Sequence, residues 1–379
     1  MTVEPAPRKT LFLVSTAGAP CGVEAFARGI AATWGRIGGE ARSLSVSGRL
    51  RDLAAIWRAL AEAEALAINV PVVAWKAMLL TPLAALIMAR LRGRVSVLVL
   101  HEWADLDWRR RIVVGAYALV AQRLVFSSPH VRSGFEESRV MRFMNKPSVI
   151  APIPSNIPPV APAAAPPVAA RLREAKARGA LIVGHFGSIY PKKQCGFVLD
   201  VAQAARGVFC VFIGGFVKGV DRVEEEFFAK ARDLRVDDRI LVTGYVDDFA
   251  ELNALFREVD CFVYRFPEGL TSRRGSVLAC LQSGRPVIVN APRDAAELDH
   301  HRGYRRALAG GSLRLVEGAA DVAAYVEALA SLGPRGVEPL PAQSYDECWR
   351  DAATAVAAAL APRARRPISA RFSRASIRA

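Results

Sequence analysis

Short apolar runs return along the chain about every 20–30 residues, and the intervals between them carry helical periodicity. In the front half the runs are Thr10–Ser15, Leu66–Val70, Val95–Leu100 and Leu124–Ser127. In the back half they are Ala180–Val183, Val208–Ile213, Ile240–Thr243, Cys261–Tyr264 and Pro286–Val289. Strands this apolar, alternating with helices, need covering on both faces, so the pattern predicts βαβ units and parallel, doubly wound α/β sheets. Between the two series lies Ala151–Ala170, APIPSNIPPVAPAAAPPVAA, with seven prolines and no charged residue. Such a stretch continues neither a helix nor a central strand and favours extended geometry, which makes it an interdomain linker. Its first part, Pro152 to Ile157, is expected to be ordered against the domain before it. The chain thus divides into an N-terminal domain over 1–150, the linker over 151–170, a C-terminal domain over 171–343, a closing helix over 344–360 and an arginine-rich tail of low order over 361–379. Two such domains face each other across a cleft at the carboxyl ends of their strands, where open α/β sheets bind ligands.

Composition narrows the function classes. Of 379 residues, 52% are hydrophobic, which excludes a disordered chain. Six cysteines show no CxxC and no regular spacing, and no signal peptide opens the chain, so they read as reduced thiols of a cytosolic protein. The net charge of +15 is unevenly placed. Residues 1–150 hold 20 Lys and Arg against 11 acids, residues 151–360 hold 25 of each, and the last 19 residues hold six Arg and no acid. A basic front and tail suit nucleic acid, anionic lipid or phosphate groups. The tail has one aromatic residue, Phe372, and no nucleic-acid reading motif, so no nucleic-acid partner is expected. Ala77–Ala89, between Trp75-Lys76 and Arg90, Arg92 and Arg94, is too short to span a bilayer. It reads as a buried helix or as one lying at a membrane interface.

Three loops at strand ends carry chemistry. Ala17-Gly18-Ala19-Pro20-Cys21-Gly22-Val23-Glu24 opens a helix, and its glycines let backbone N–H groups approach an anion or a sugar oxygen. It is neither a P-loop nor GxGxxG. His101-Glu102-Trp103 follows the strand Val95–Leu100. A histidine there donates to a substrate hydroxyl or acts as acid or base, or else is satisfied by a local carbonyl. Most informative is Pro267-Glu268-Gly269-Leu270-Thr271-Ser272-Arg273-Arg274-Gly275-Ser276, which runs from a strand into a helix. Hydroxyls, two guanidinium forks and a helix N-terminus suit a diphosphate. Lys192-Lys193, after Gly187-Ser188, aims further cations at the same cleft.

Together these residues resemble a GT-B glycosyltransferase of the retaining, family-4-like group (glycosyltransferases group 1), of bacterial polysaccharide or glycolipid type. The matching parts are Cys21-Gly22-Val23-Glu24, His101-Glu102, Pro154-Ser155-Asn156-Ile157, Phe186-Gly187 with Lys193, Thr243-Gly244-Tyr245-Val246, Val259 to Val263, and Arg273-Arg274-Gly275-Ser276 through Gly284-Arg285-Pro286-Val287. The helix Ser344–Leu360, with Trp349, resembles the final helix that returns to the N-terminal domain in that fold. Two family features are absent: an Arg five residues before the Lys, where Ser188 stands, and both glutamates of E-x7-E, where Thr271 and Ala279 stand.

The resemblance implies two Rossmann-like domains, the C-terminal one holding a nucleotide-diphosphate sugar and the N-terminal one the acceptor. His101, Lys193, Arg273 and Arg274 are the implied catalytic residues. Gly22, Val23, Gly187, Lys192, Gly244, Tyr245, Val246, Thr271, Ser272, Gly275 and Ser276 are implied at the donor, with Glu24 and Glu102 at the acceptor. Family members of this kind need no metal or cofactor, and no DxD triplet is present. The expected partners are a nucleotide sugar, a glycan or polyprenyl-diphosphate-linked acceptor and an anionic membrane surface, with the protein cytoplasmic and peripheral on the inner face of the membrane. Other functions for such a scaffold are a catalytically degenerate binding protein and a sugar-nucleotide epimerase.

Overall fold

The computed structural model describes residues 9–16, 21–72, 75, 80–139, 141–161, 166–190, 193–217, 222–318, 320–332, 340–341 and 344–361. The first sheet contains β1 (Lys9–Ser15), β2 (Glu40–Val46), β3 (Ala65–Val70), β4 (Val95–Leu100), β5 (Arg123–Phe126) and β6 (Ser148–Ile150). Its strands are all parallel, in the order β2-β1-β3-β4-β5-β6. The second contains β7 (Leu181–Phe186), β8 (Val208–Ile213), β9 (Ile240–Val242), β10 (Cys261–Tyr264), β11 (Val287–Asn290) and β12 (Leu313–Val316). It too is parallel, in the order β12-β11-β10-β7-β8-β9. These are the two doubly wound sheets that the apolar runs predict.

Three strands, β2, β6 and β12, carry no strong sequence signal. β2 reads EARSLSV and is mostly solvent-facing, and β2, β6 and β12 all lie at sheet edges. An edge strand needs only one apolar side or none, so its pattern is weak. The central strands β3 and β8 are buried along their whole length, which is why they read as continuous apolar runs.

One face of the first sheet is covered by α1 (Gly22–Thr33), the other by α2 (Leu53–Glu62), α3 (Leu80–Leu91), α4 (Trp108–Val120) and α5 (Pro129–Glu136). Around the second sheet lie α6 (Ala169–Ala177), α7 (Gly196–Ala204), α8 (Val223–Asp233), α9 (Phe249–Glu258), α10 (Gly275–Gln282), α11 (Arg302–Ala309) and α12 (Val322–Ala330). The last helix, α13 (Ser344–Leu360), does not cover the sheet that precedes it. Its Trp349, Ala352, Ala353 and Val356 join Phe12, Phe26, Trp34 and Val99 in the core of the first sheet, beside α1. Gly29 makes that approach possible, because a Cβ there would lie 2.1 Å from the Trp349 ring. Arg123 Nη1 fastens the far end, donating to the Ala359 carbonyl at 2.8 Å.

The first part of the proline-rich stretch is wedged between the two units. Ala151 and Ser155 are buried, and the Ile153 carbonyl lies 3.0 Å from His301 Nε2, at the start of α11. Of the Ala77–Ala89 segment, α3 buries Pro82, Ala85, Leu86 and Ala89 on the sheet and turns Leu80, Ile87 and Leu91 to solvent. Trp75 is buried, so it is no interfacial anchor. Positions 77–79 and the tail from 362 lie outside the described residues. No helix among the described residues is long and apolar enough to cross a membrane.

Candidate functional site

Strand order reverses next to β1 and β3 in the first sheet and next to β7 and β10 in the second, and the loops leaving these strands diverge there to leave a crevice. The two crevices face each other across one cavity of about 1120 Å³. Its front wall includes Gly22, Val23, His101 and Glu102, and its back wall Gly187, Lys193, Tyr245, Val246, Arg273, Arg274, Gly275 and Ser276. Twelve of the residues singled out in the sequence therefore converge from segments far apart in the chain.

Of the remaining five, the four that are described do not line the cavity. Glu24 is buried below it, with both carboxylate oxygens accepting from Ser15 N at 3.0 Å and one pairing with Arg28 at 2.8 Å. Thr271 and Ser272 are buried behind the arginine turn. Gly244, with φ of +74°, shapes the turn that presents Tyr245 but is not itself in the wall. Lys192 lies outside the described residues.

The cationic wall is assembled by the turn between β10 and α10. Tyr304 OH donates to the Arg274 carbonyl at 2.7 Å, and Ser272 is gripped from behind by Glu297. Gly275 begins α10, and a Cβ there would sit 3.3 Å from the Pro154 carbonyl. The turn thus packs directly on the proline-rich stretch. Arg274 pairs with Glu268 and lies over the Phe266 ring, 4.3 Å from its centroid. Arg273 reaches across the cavity to Asp105 of the first unit at 2.9 Å, with Glu268 at 3.5 Å. Burial alone would raise the Asp105 carboxyl, but the hydrogen bond and charge of Arg273, with Arg274 beyond, hold it below its usual 3.8. The Nε–H groups of both arginines are buried and have no partner among the described residues. Buried donors left unpaired are costly, and both arginines that carry them line the cavity.

Lys193 completes the wall. Its ammonium lies against Gly187, where φ is +126° and a Cβ would come within 3.0 Å of Nζ. Burial, with Arg274 adding to it and Cys195 opposing, pushes the Lys193 pKa below its ordinary value. Gly187 N in turn donates to the Ile213 carbonyl, and Gly214, with φ of +149°, leaves no room for a side chain against the Gly187 carbonyl. Two helix N-termini also open on the cavity, Gly22 of α1 and Gly275 of α10, and neither cap residue supplies a side-chain hydrogen bond. Their first N–H groups favour negatively charged oxygen.

His101 shows which of its roles the fold allows. Its Nε2 lies 3.1 Å from Asn69 Oδ1, and the ring packs edge-on to Phe26. Burial, with the charge of Arg273 adding to it, lowers its pKa to about 3, so the ring is neutral. A neutral ring with Nε2–H given to an amide oxygen offers a lone pair at Nδ1. His101 lines the cavity wall, and with Nε2 on Asn69 its remaining ring nitrogen is the one left to accept a hydrogen bond.

Sequence reasoning gave no role to Asn156, Asp105, Glu268 or Glu297. Asn156 lines the cavity with Nδ2 3.8 Å from the Cβ position of Gly22, and its signal was available in the Pro154-Ser155-Asn156-Ile157 motif. The other three are ordinary acids until the turn they hold is in place. The part of the lining that comes from the end of β3, the residues after it and α4 is largely apolar, with Val70, Val72, Trp75, Val113, Val114 and Tyr117 beside Arg110.

No family model matches the chain, and no curated protein matches it in sequence. Solved structures do match over nearly its whole length. HepE from Anabaena in complex with UDP superimposes with a TM-score of 0.60 at 14% identity, covering 92% of this chain and 94% of HepE. Sucrose-phosphate synthase from Thermosynechococcus elongatus gives 0.60 at 14%, covering 93% and 97%. A glycosyltransferase from Rickettsia africae gives 0.56 at 13%, covering 93% and 94%. The shared architecture is the two-sheet GT-B fold with its returning helix.

Proposed function

We propose that this protein is a glycosyltransferase that moves a sugar from a nucleotide-diphosphate sugar to a hydroxyl of an acceptor. The observation that carries the reading is the convergence of Lys193, Arg273, Arg274 and the α10 N-terminus on one wall of the interunit cavity. The unpaired Nε–H groups of the arginines add to it. The fold neighbours point the same way: HepE is solved with UDP and with UDP-glucose. A uridine diphosphate sugar is the donor we expect.

In this reading the diphosphate lies against the arginine turn, with the Ser276 N–H at the start of α10 on its oxygens and Lys193 beside it. As the sugar–phosphate bond loosens, negative charge grows on the departing diphosphate, and cations already fixed around it stabilise that charge by several kcal/mol, on the order of a single well-placed oxyanion donor or more. Tyr245 and Val246 border the base, while Gly22 and His101 face the sugar, with His101 Nδ1 accepting from one of its hydroxyls. No carboxylate is assigned as a covalent nucleophile. Transfer with retention follows if the acceptor enters on the face the diphosphate leaves and gives its proton to it. The acceptor is a glycan or a polyprenyl-diphosphate-linked glycan of bacterial envelope or exopolysaccharide assembly, received by the first unit and Glu102. The missing E-x7-E glutamates at Thr271 and Ala279 mark divergence in how the ribose is held.

A thermal-shift panel of UDP, GDP, dTDP and ADP tests the donor site. A ligand that binds only the folded state adds about 2.7 kcal/mol at 100 times its dissociation constant. UDP should stabilise the wild type and leave Arg273→Ala/Arg274→Ala unshifted. No shift with any nucleotide, or an equal shift in the double variant, overturns the assignment.

A further inference from the structure

The helices α2, α3 and α4 that cover one face of the first sheet carry apolar side chains outward as well as inward. α3 presents Leu80, Ile87 and Leu91 to solvent, with Ala84 half-buried between them, and α4 presents Trp108, Ile112 and Leu119. These positions step by three, four or seven residues, so each set is one stripe along its helix. Leu91 is 75% exposed and Trp108 66%. The two helices pack side by side, and α2 adds Trp57, over which Arg92 lies 3.8 Å from the ring centroid. The segment after α5 adds Phe143, 78% exposed. It is held against α4 by Met141, whose Cε fills the space beside Gly115, and by Lys146, which donates to the Ala118 and Leu119 carbonyls. An apolar patch of this extent on a folded surface marks an interaction site.

Charge identifies what covers it. No acid occurs from Leu80 to His101 or within α4, while Arg90, Arg92 and Arg94 close α3 and Arg109, Arg110 and Arg111 open α4. The first turn of a helix is the positive end of its dipole, where acids are favoured and cations disfavoured. Three arginines there act against the helix. One, Arg110, is offset by Asp107 at 3.2 Å, and Arg109 lies over the Trp108 ring at 5.3 Å. A second copy of the chain on this face would set arginines against arginines, since a two-fold contact brings the same patch from each side. An apolar boundary fronted by negative charge meets both requirements.

We propose that the outer face of α3 and α4 docks on an anionic phospholipid bilayer, with the aliphatic and aromatic stripes entering the headgroup boundary and the arginines on lipid phosphates. The docking stands independently of the reaction proposed above. Where that reaction holds, the same helices supply Pro82, Arg110, Val113, Val114 and Tyr117 to the lining of the cavity. The cavity then lies beside the bilayer, and a lipid-anchored acceptor reaches it without leaving the membrane.

Flotation of the full chain with phosphatidylcholine vesicles, with and without phosphatidylglycerol, tests the proposal at low and high salt. The wild type should float with the anionic vesicles alone and be released by salt. Arg109→Gln/Arg111→Gln should bind more weakly by on the order of 30-fold, and Trp108→Ser/Ile112→Ser/Leu119→Ser by roughly tenfold or more. Both should keep the wild-type circular dichroism and urea midpoint, because the altered side chains are at the surface. Absence of wild-type flotation overturns the proposal. So does flotation of both variants equal to wild type, which would put the attachment elsewhere on this basic chain, and so does a concentration-dependent dimer dispersed by the serine variant without vesicle binding.

Discussion

Glu297 is 2% exposed, yet it is the group through which the first unit touches the back of the arginine turn. Its Oε1 accepts from Ser272 N at 2.9 Å and Ser272 Oγ at 3.0 Å, and its Oε2 accepts from His130 N at 2.9 Å, at the start of α5. Glu297→Gln keeps one oxygen. With it on Ser272, the new amide N–H₂ faces the His130 N–H, donor against donor, and the α5 N-terminus loses an anion. One charge-assisted hydrogen bond and one dipole contact are lost, about 2–4 kcal/mol together. Glu297→Ala leaves three buried donors unpaired and should cost more, about 3–6 kcal/mol. Urea unfolding followed by circular dichroism reads both values. Because Glu297 links the two units, the alanine variant should also separate their unfolding into two transitions. Ser272 precedes Arg273, so UDP stabilisation should weaken in parallel. If both variants lie within about 0.5 kcal/mol of the wild type, the size of an ordinary surface change, the carboxylate is not a latch and the reasoning fails.

Two further outcomes follow from the charges around the cavity. Asp105 competes with any anion for Arg273, so Asp105→Asn should tighten UDP binding several-fold; with its side chain 59% exposed, its removal should change stability by less than about 1 kcal/mol. Weaker binding in isothermal titration would show instead that Asp105 holds Arg273 in its binding position. His101, lowered to about 3, and His185, His300 and His301, each lowered to about 4, are kept neutral by burial. Below pH 6.5 the unfolded chain takes up protons that the folded one refuses, so stability is fully present above pH 6.5 and declines as pH falls toward 4. Between pH 7 and 5, where carboxylates are still ionised, the loss should be on the order of a few kcal/mol. Urea midpoints that stay level across that window would contradict the burial of these rings.

The fold was legible because its central strands are buried on both faces and carry few polar residues, as in VFCVFI and in ALAINV, whose one polar side chain, Asn69, is paired with His101. The helix 344–360 was legible at both ends, but its return to the first unit came from the resemblance, and the seat of Trp349 against Gly29 only from the fold. What escaped was three of the four edge strands, such as EARSLSV, which pairs with only one neighbour. At the site, glycine and arginine positions were readable because strand ends and turn chemistry confine them locally. The acids were not. Glu24 follows the glycine loop directly, and nothing in the sequence shows that its carboxylate turns back to cap β1. Glu297 lies 25 residues from Ser272 and 167 from His130, and only the closed fold makes them neighbours. Ser272 looked like a phosphate ligand for the same reason: its hydroxyl is of the right kind, but the backbone aims it inward at Glu297.

The return of α13 to the first sheet has a consequence for how the chain is made. The first unit is not finished when residue 150 leaves the ribosome. The groove beside α1, with Phe12, Phe26, Trp34 and Val99 on its floor, stays uncovered until some two hundred further residues have been synthesised and the second unit has formed. Through that interval an apolar surface meant for Trp349 and the alanines of α13 is open to any other segment. Expression of the front unit alone would leave it in that state permanently. Supplied together with a peptide of residues 344–360, it should gain the missing wall. The chain thus closes its first unit with a helix that lies beyond the second, and the two halves become complete together rather than one after the other.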